Sequence, residues 1–189
     1  MKMKNIEIDL RGVLLETPHL FLRSFKVSDL DDLYDYASEE GVGEMAGWKH
    51  HDKIDVTAEV LTHFISGRST FALVDKTRNK VIGSLGIESG SAYRNIVRGI
   101  NSYKELGFVL AKPYWGMGLM DEALKEAIEY LFKEVGVEAL LVAHFNDNLR
   151  SKRVIEKSGF KWFYDGSHLD AYGNNKDVKV YFLKNPYLI

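Results

Sequence analysis

Residues 113–120 read PYWGMGLM, between an alternating stretch at 105–111 (ELGFVLA) and the most regular helical pattern in the chain. In ELGFVLA, Leu106, Phe108 and Leu110 share one face of a strand, and Glu105, Gly107 and Val109 share the other. Beyond the glycines, Leu119, Met120, Ala123, Leu124, Ala127, Ile128, Leu131 and Phe132 recur at three- and four-residue spacing. That spacing predicts a helix running to Glu134, with Gly136 stopping it. Gly116 and Gly118 have no side chains, so an incoming group can approach the backbone closely. A helix start adds free N–H groups and the positive end of a dipole, which suits an anion such as a pyrophosphate. Two glycines serve a tight strand-to-helix turn equally well. A dinucleotide fingerprint needs a third glycine, which is absent, and no GxxxxGK[ST] loop occurs.

Outward from this turn, residues 20–25 alternate as a strand, and Ser28 precedes a helix with Asp29, Asp31 and Asp32 near its start. Residues 40–51 hold three glycines and no period, and read as a loop. A second helix is expected near 56–65. Residues 70–74 and 80–87 form a hairpin across the polar stretch 75–79, and 89–100 is a loop. After the long helix come a buried strand at 140–145, a short helix at 148–158 ended by Gly159, and strands at 160–164 and 178–183. Mixed strands and helices place the chain in the α/β class with α+β character.

Three prolines and no Pro/Ser-rich linker predict a single domain over residues 1–189, with its core at about 16–184. The absence of cysteine excludes disulfides, thiolate nucleophiles and Cys-ligated zinc. A net charge of −2 gives no basic excess for nucleic acid. No apolar run approaches the roughly 20 residues of a membrane span, and residues 1–9 lack the apolar core of a secretory signal. A cytoplasmic protein without membrane or nucleic-acid partners is expected.

Residues 148–160 (NLRSKRVIEKSGF) put Asn148 and Ser151 three apart at a helix start. Capping alone accounts for that pair. Taken in order, ETPHLFLRSF at 16–25, ELGFVLAKP at 105–113, YWGMGLMDEAL at 114–124 and NLRSKRVIEKSGF resemble the GCN5-related N-acetyltransferases (GNAT). Within them they resemble the RimJ/RimL-like ribosomal-protein N-terminal acetyltransferase group. Trp115 stands where the superfamily motif has Arg or Gln, Gly118 at its first glycine, and Met120 where it has Gly or Ala.

The resemblance implies a twisted mixed sheet of six or seven strands, splayed in the middle and flanked by about four helices. It implies acetyl-CoA as co-substrate, no metal, an amine acceptor and direct attack in a ternary complex; a homodimer is compatible with it. Coenzyme contacts are then expected from Gly107, Phe108, Val109 and Leu110, from Trp115, Gly116, Met117, Gly118, Leu119 and Met120, and from Asn148 and Arg153. Arg150 and Lys152 add to the basic face of that helix. A backbone N–H such as that of Val109 would polarise the carbonyl. Glu105 is the candidate base, with Glu88 and His144 behind it. Ser151 is the candidate donor to the leaving thiolate, since the helix has no tyrosine, and Asn148 would hold the pantetheine amide or a water. Met45 and Trp48 would line an acceptor groove. A protein N-terminal α-amine is the expected acceptor; a small-molecule amine, or a non-catalytic coenzyme A sensor, is the alternative.

Overall fold

The computed structural model of the chain describes residues 6–89 and 99–188. In chain order its elements are β1 (Leu14–Glu16), β2 (Leu20–Ser24), α1 (Leu30–Ala37), α2 (Ile54–Gly67), β3 (Thr70–Asp75), β4 (Lys80–Glu88) and β5 (Tyr103–Leu110). There follow α3 (Leu119–Tyr130), β6 (Ala139–Phe145), α4 (Leu149–Lys157), β7 (Lys161–Leu169) and β8 (Asn175–Lys184). The loop expected at 89–100 falls mostly outside the described residues.

All eight strands form one sheet in the order β1-β2-β3-β4-β5-β6-β8-β7. Every neighbouring pair is antiparallel except β5 and β6. Eight strands replace the expected six or seven. The extra one, β1, has three residues, too few to show an alternating pattern, and pairs with β2 around a tight turn. Strand β7 runs five residues past the expected 164, because its outer half (DGSHL) pairs with β8 while remaining largely exposed. Exposure on both faces removes the polarity alternation that marks a half-buried strand.

Helix α3 forms because Leu119, Met120, Ala123, Leu124, Ala127 and Ile128 make one buried stripe. A π-turn at Leu131–Val135 extends it, and Gly136 ends it at φ 75°. A 3-10 turn, Val27–Asp29, leads into α1, and its Asp29 carboxylate accepts the Lys26 N–H at 2.8 Å and the Arg23 guanidinium at 2.7 Å.

Two apolar layers sandwich the sheet. Leu106 and Leu110 of β5 pack with α3 and with Ile155 of α4, while Val109 packs with Leu33, Ala37 and Leu61 from α1 and α2. The two faces expected for 105–110 are thus both covered, by different helices. The sheet opens at the one parallel junction among the described residues. β5 and β6 are in register from Tyr103–Ala139 to Leu106–Val142 and then separate, although β5 continues to Leu110 and β6 to Phe145.

Candidate active site

The segment after β5 is built to expose backbone. A 3-10 turn, Lys112–Tyr114, leads to Trp115 in extended conformation. Gly116 and Gly118 then take φ 76° and 79°, a region that side chains with a Cβ enter only with strain. A Cβ at either position would meet nothing within 4 Å, so conformation and not crowding calls for glycine. Gly118 caps α3 with no side-chain hydrogen bond, and the first intrahelical bond runs from Glu122 N–H to Gly118 C=O. The N–H groups of Leu119, Met120 and Asp121 precede it, at the positive end of a 12-residue helix. Met120 does not fill this space with its side chain, which is 6% exposed and sits in the core.

The splay supplies a second set of backbone groups. Ala111 N–H donates to Ile82 C=O at 2.8 Å. Backbone direction alternates along a strand, so Val109 and Gly107 turn their N–H and C=O groups toward β4. Phe108 and Leu110 turn theirs toward the gap that β6 has left. One of these is taken: Trp115 Nε1–H donates to Leu110 C=O at 2.6 Å. The N–H expected to reach a carbonyl in the gap therefore belongs to Phe108 or Leu110, and not to Val109.

Helix α4 closes the other side. Asn148 is its N-cap: Oδ1 accepts Ser151 N–H and Nδ2 donates to Met45 C=O, both at 3.1 Å. The capping reading of Asn148 and Ser151 is realised, and one amide ties α4 to the 40–51 loop as well. Arg150 stacks on Trp115. Lys157 pairs with Asp121 of α3. Lys152 turns away toward Glu156 of its own helix.

These parts surround a cavity of about 620 Å³. β5 contributes Phe108, Val109 and Leu110, and the turn and α3 contribute Trp115, Gly116, Gly118, Leu119 and Met120. α4 contributes Asn148, Ser151 and Arg153. Eleven of the fourteen expected site residues thus gather on one cavity. Met117 points outward at 63% exposure, and Gly107 lines a different cavity. Glu105 lines neither; it is half-buried, directly opposite Glu88 across β4–β5, with its charge raising the pKa of Tyr164 alongside burial. Sequence reasoning missed Lys157 and Asp121, whose approach depends on how α3 and α4 pack.

His144 stays off the cavity. Its Nδ1–H donates to Phe145 C=O at 2.7 Å, its ring tilts against Tyr181, and burial holds its pKa below the usual value.

A second cavity, of about 330 Å³, lies on the other face of β5 under α1 and α2. Ala46, Phe108 and Val109 line both cavities. Trp48 and Glu88 line the second, as does His51, which sequence reasoning did not single out. The 40–51 loop that carries Trp48 is braced by Glu44. Burial would raise the Glu44 pKa, but the His50 ring, the His50 N–H and the Gly41 N–H all bond its carboxylate and hold it at about 2. Among the described residues no three His, Asp or Glu side chains are grouped as a metal site, and no helix is long and apolar enough to cross a membrane.

Comparison with known proteins bears on this arrangement. Residues 19–161 match the family model described as acetyltransferase (GNAT) domain. The uncharacterized N-acetyltransferase YoaA of Bacillus subtilis is 21% identical over 92% of this chain and 97% of its own. The [ribosomal protein uS5]-alanine N-acetyltransferase of Escherichia coli is 29% identical over 48% of this chain and 44% of its own. Among solved structures, a GNAT-family acetyltransferase from Bacillus anthracis superposes with a TM-score of 0.78 at 19% identity, covering 92% of this chain and 99% of that one.

Proposed function

The chain belongs to the GNAT acetyltransferase family, and from that premise we propose that it moves the acetyl group of acetyl-CoA onto a primary amine, with a protein N-terminal α-amine as the preferred acceptor. The carrying observation is the 620 Å³ cavity, which joins an open helix start, an unpaired strand edge and Ser151 in one space. The relative that acts on ribosomal protein uS5 supports the choice of acceptor.

In this reading the pyrophosphate lies on the N–H groups that begin α3. Arg150 and Arg153 supply positive charge beside it, while the charge of Lys157 is met by Asp121. The pantetheine arm pairs with Phe108 and Leu110 as an added strand would. The thioester oxygen accepts a hydrogen bond from a β5 N–H facing the gap, which stabilises the oxyanion as it forms.

The attacking amine must be neutral. An α-amine with a pKa near 7.7–8.0 is partly so at neutral pH, whereas a lysine near 10.4 is not. Its nitrogen attacks the thioester carbon and the C–S bond breaks. The amine proton leaves through water toward Glu105, and Ser151 Oγ–H meets the departing thiolate. Asn148 holds the start of α4 so that Ser151 faces the sulfur.

Purified protein given acetyl-CoA and a panel of peptides and small amines tests the proposal. Free thiol released together with an acetylated product of the right mass is the expected result. Tight coenzyme binding with no thiol released for any amine would overturn it in favour of a coenzyme sensor.

A further inference from the structure

We propose, on the acetyltransferase reading above, that the second cavity is the acceptor pocket and that it selects a primary amine carrying an apolar, ring-sized body with one neutral hydrogen-bonding group.

Position comes first. The cavity shares Ala46, Phe108 and Val109 with the coenzyme cavity. An amine nitrogen at that shared wall reaches the strand edge where a thioester would lie, while the rest of its molecule sits under α1 and α2. The volume of about 330 Å³ is at the small end for ligand pockets. It suits a single ring and not an extended polar chain.

The walls set the chemistry of the body. Trp48, Phe64 and the ring of Tyr36 give aromatic surface, and Leu33, Ala37 and Val60 give aliphatic surface. Within this apolar lining lie the uncharged polar side chains His51, Thr70 and Ser84 and the hydroxyl of Tyr36, each of these residues less than a tenth exposed. His51 Nδ1 is bonded to Thr57 Oγ1 at 2.8 Å, which fixes the ring and leaves Nε2 for a ligand. Burial lowers the His51 pKa, so the ring is neutral at neutral pH. Ser84 lies against the buried Tyr36 hydroxyl. A wholly apolar body would strip water from these groups and return nothing. A second ammonium carried under α1 and α2 would be buried without a carboxylate beside it, since the single charged lining residue, Glu88, is exposed at the end of β4.

Two sources offer this chemistry: an N-terminal residue such as tyrosine, and a free arylalkylamine. Steady-state kcat/KM values separate them. The acceptors are tyramine, phenethylamine, putrescine, and short peptides beginning with Tyr, Phe, Ala or Ser. A hydroxyl-bearing ring should exceed its hydroxyl-free twin by about tenfold or more, as when a site's polar groups would otherwise stay unpaired. It should exceed putrescine and the Ala and Ser peptides as well. A Tyr peptide above tyramine identifies a protein source, and the reverse a small molecule.

Ser84→Ala should narrow the hydroxyl preference, and Val60→Trp should raise KM for ring-bearing acceptors, both with acetyl-CoA affinity by calorimetry unchanged. Putrescine or the Ala peptide ranked highest, or a flat ranking, overturns the pocket while the transferase reading stands. Bound acetyl-CoA with no turnover on any amine overturns both.

Discussion

The Arg150 guanidinium sits 4.0 Å from the centroid of the Trp115 ring, and the same indole donates its Nε1–H to Leu110 at 2.6 Å. One side chain thereby joins the strand edge, the glycine turn and the basic helix. Such a cation–π contact contributes about 0.5–1 kcal/mol when exposed and about 2 when dry. Trp115→Ala should weaken coenzyme A binding by roughly tenfold in calorimetry. Trp115→Phe, which keeps the ring face and loses the donor, should recover part of it. An unchanged dissociation constant for the alanine variant would contradict the role.

Gly118 sits at φ 79° at the mouth of α3. Gly118→Ala should cost about 1–2 kcal/mol through the left-handed backbone alone, lowering Tm by a few degrees in a thermal melt. Gly118→Val should also abolish coenzyme binding. Gly107 is the control: its φ is not positive and its Cβ position is open, so Gly107→Ala should leave Tm nearly unchanged.

Ser151 lies on the cavity wall, one turn into α4. Ser151→Ala should lower kcat by roughly ten- to a thousand-fold, with coenzyme affinity preserved, in line with the loss of an acid–base group. Unchanged turnover removes it from the chemistry.

Asn148 does two jobs with one amide, and two variants separate them. Asn148→Ala loses both the cap and the tie to Met45, and should cost about 1–2 kcal/mol. Asn148→Asp keeps an acceptor for Ser151 N–H but faces Met45 C=O with an anion. It should leave α4 capped and loosen the 40–51 loop, which limited proteolysis of that loop would report.

Two buried histidines contribute to the loss of stability between neutral pH and mild acid. Burial lowers the folded pKa of both His51 and His144 from 6.5. As pH falls through 6.5 the unfolded chain takes up protons that the folded chain refuses. Stability is therefore full above 6.5 and declines from there toward the depressed folded values. Melting temperatures from about pH 7 to 5 should fall, and His144→Gln, which keeps a donor for Phe145, should flatten that slope. A slope unchanged by the variant would rule out its contribution.

The features legible in sequence were those with a local pattern. The stripe from Leu119 to Ile128, the alternation of 105–110 and the stops at Gly136 and Gly159 needed only neighbours in the chain. Most of the lining of the 620 Å³ cavity followed, because a turn and a capped helix at fixed spacing carry it. What escaped depended on distant contacts. The alternation at 105–110 fixes faces but not which residues bond β4, and that choice moved the free N–H from Val109 to its neighbours. His51 carried no pattern at all; only the packing of the 40–51 loop and α2 over β3–β5 brings it to a cavity.

The sheet is stitched at its centre by only four residue pairs, Tyr103–Ala139 to Leu106–Val142. On either side stand β1–β5 and β6–β8–β7, each a continuous antiparallel ladder. Backbone pairing across this short seam is sparser than within either ladder, and the apolar cluster that runs from Leu22 and Leu106 to Leu140 and Tyr181 holds the two together. A molecule lodged there and hydrogen-bonded to Phe108 and Leu110 lengthens the seam. In energetic terms such a molecule would be a missing rung between the two ladders.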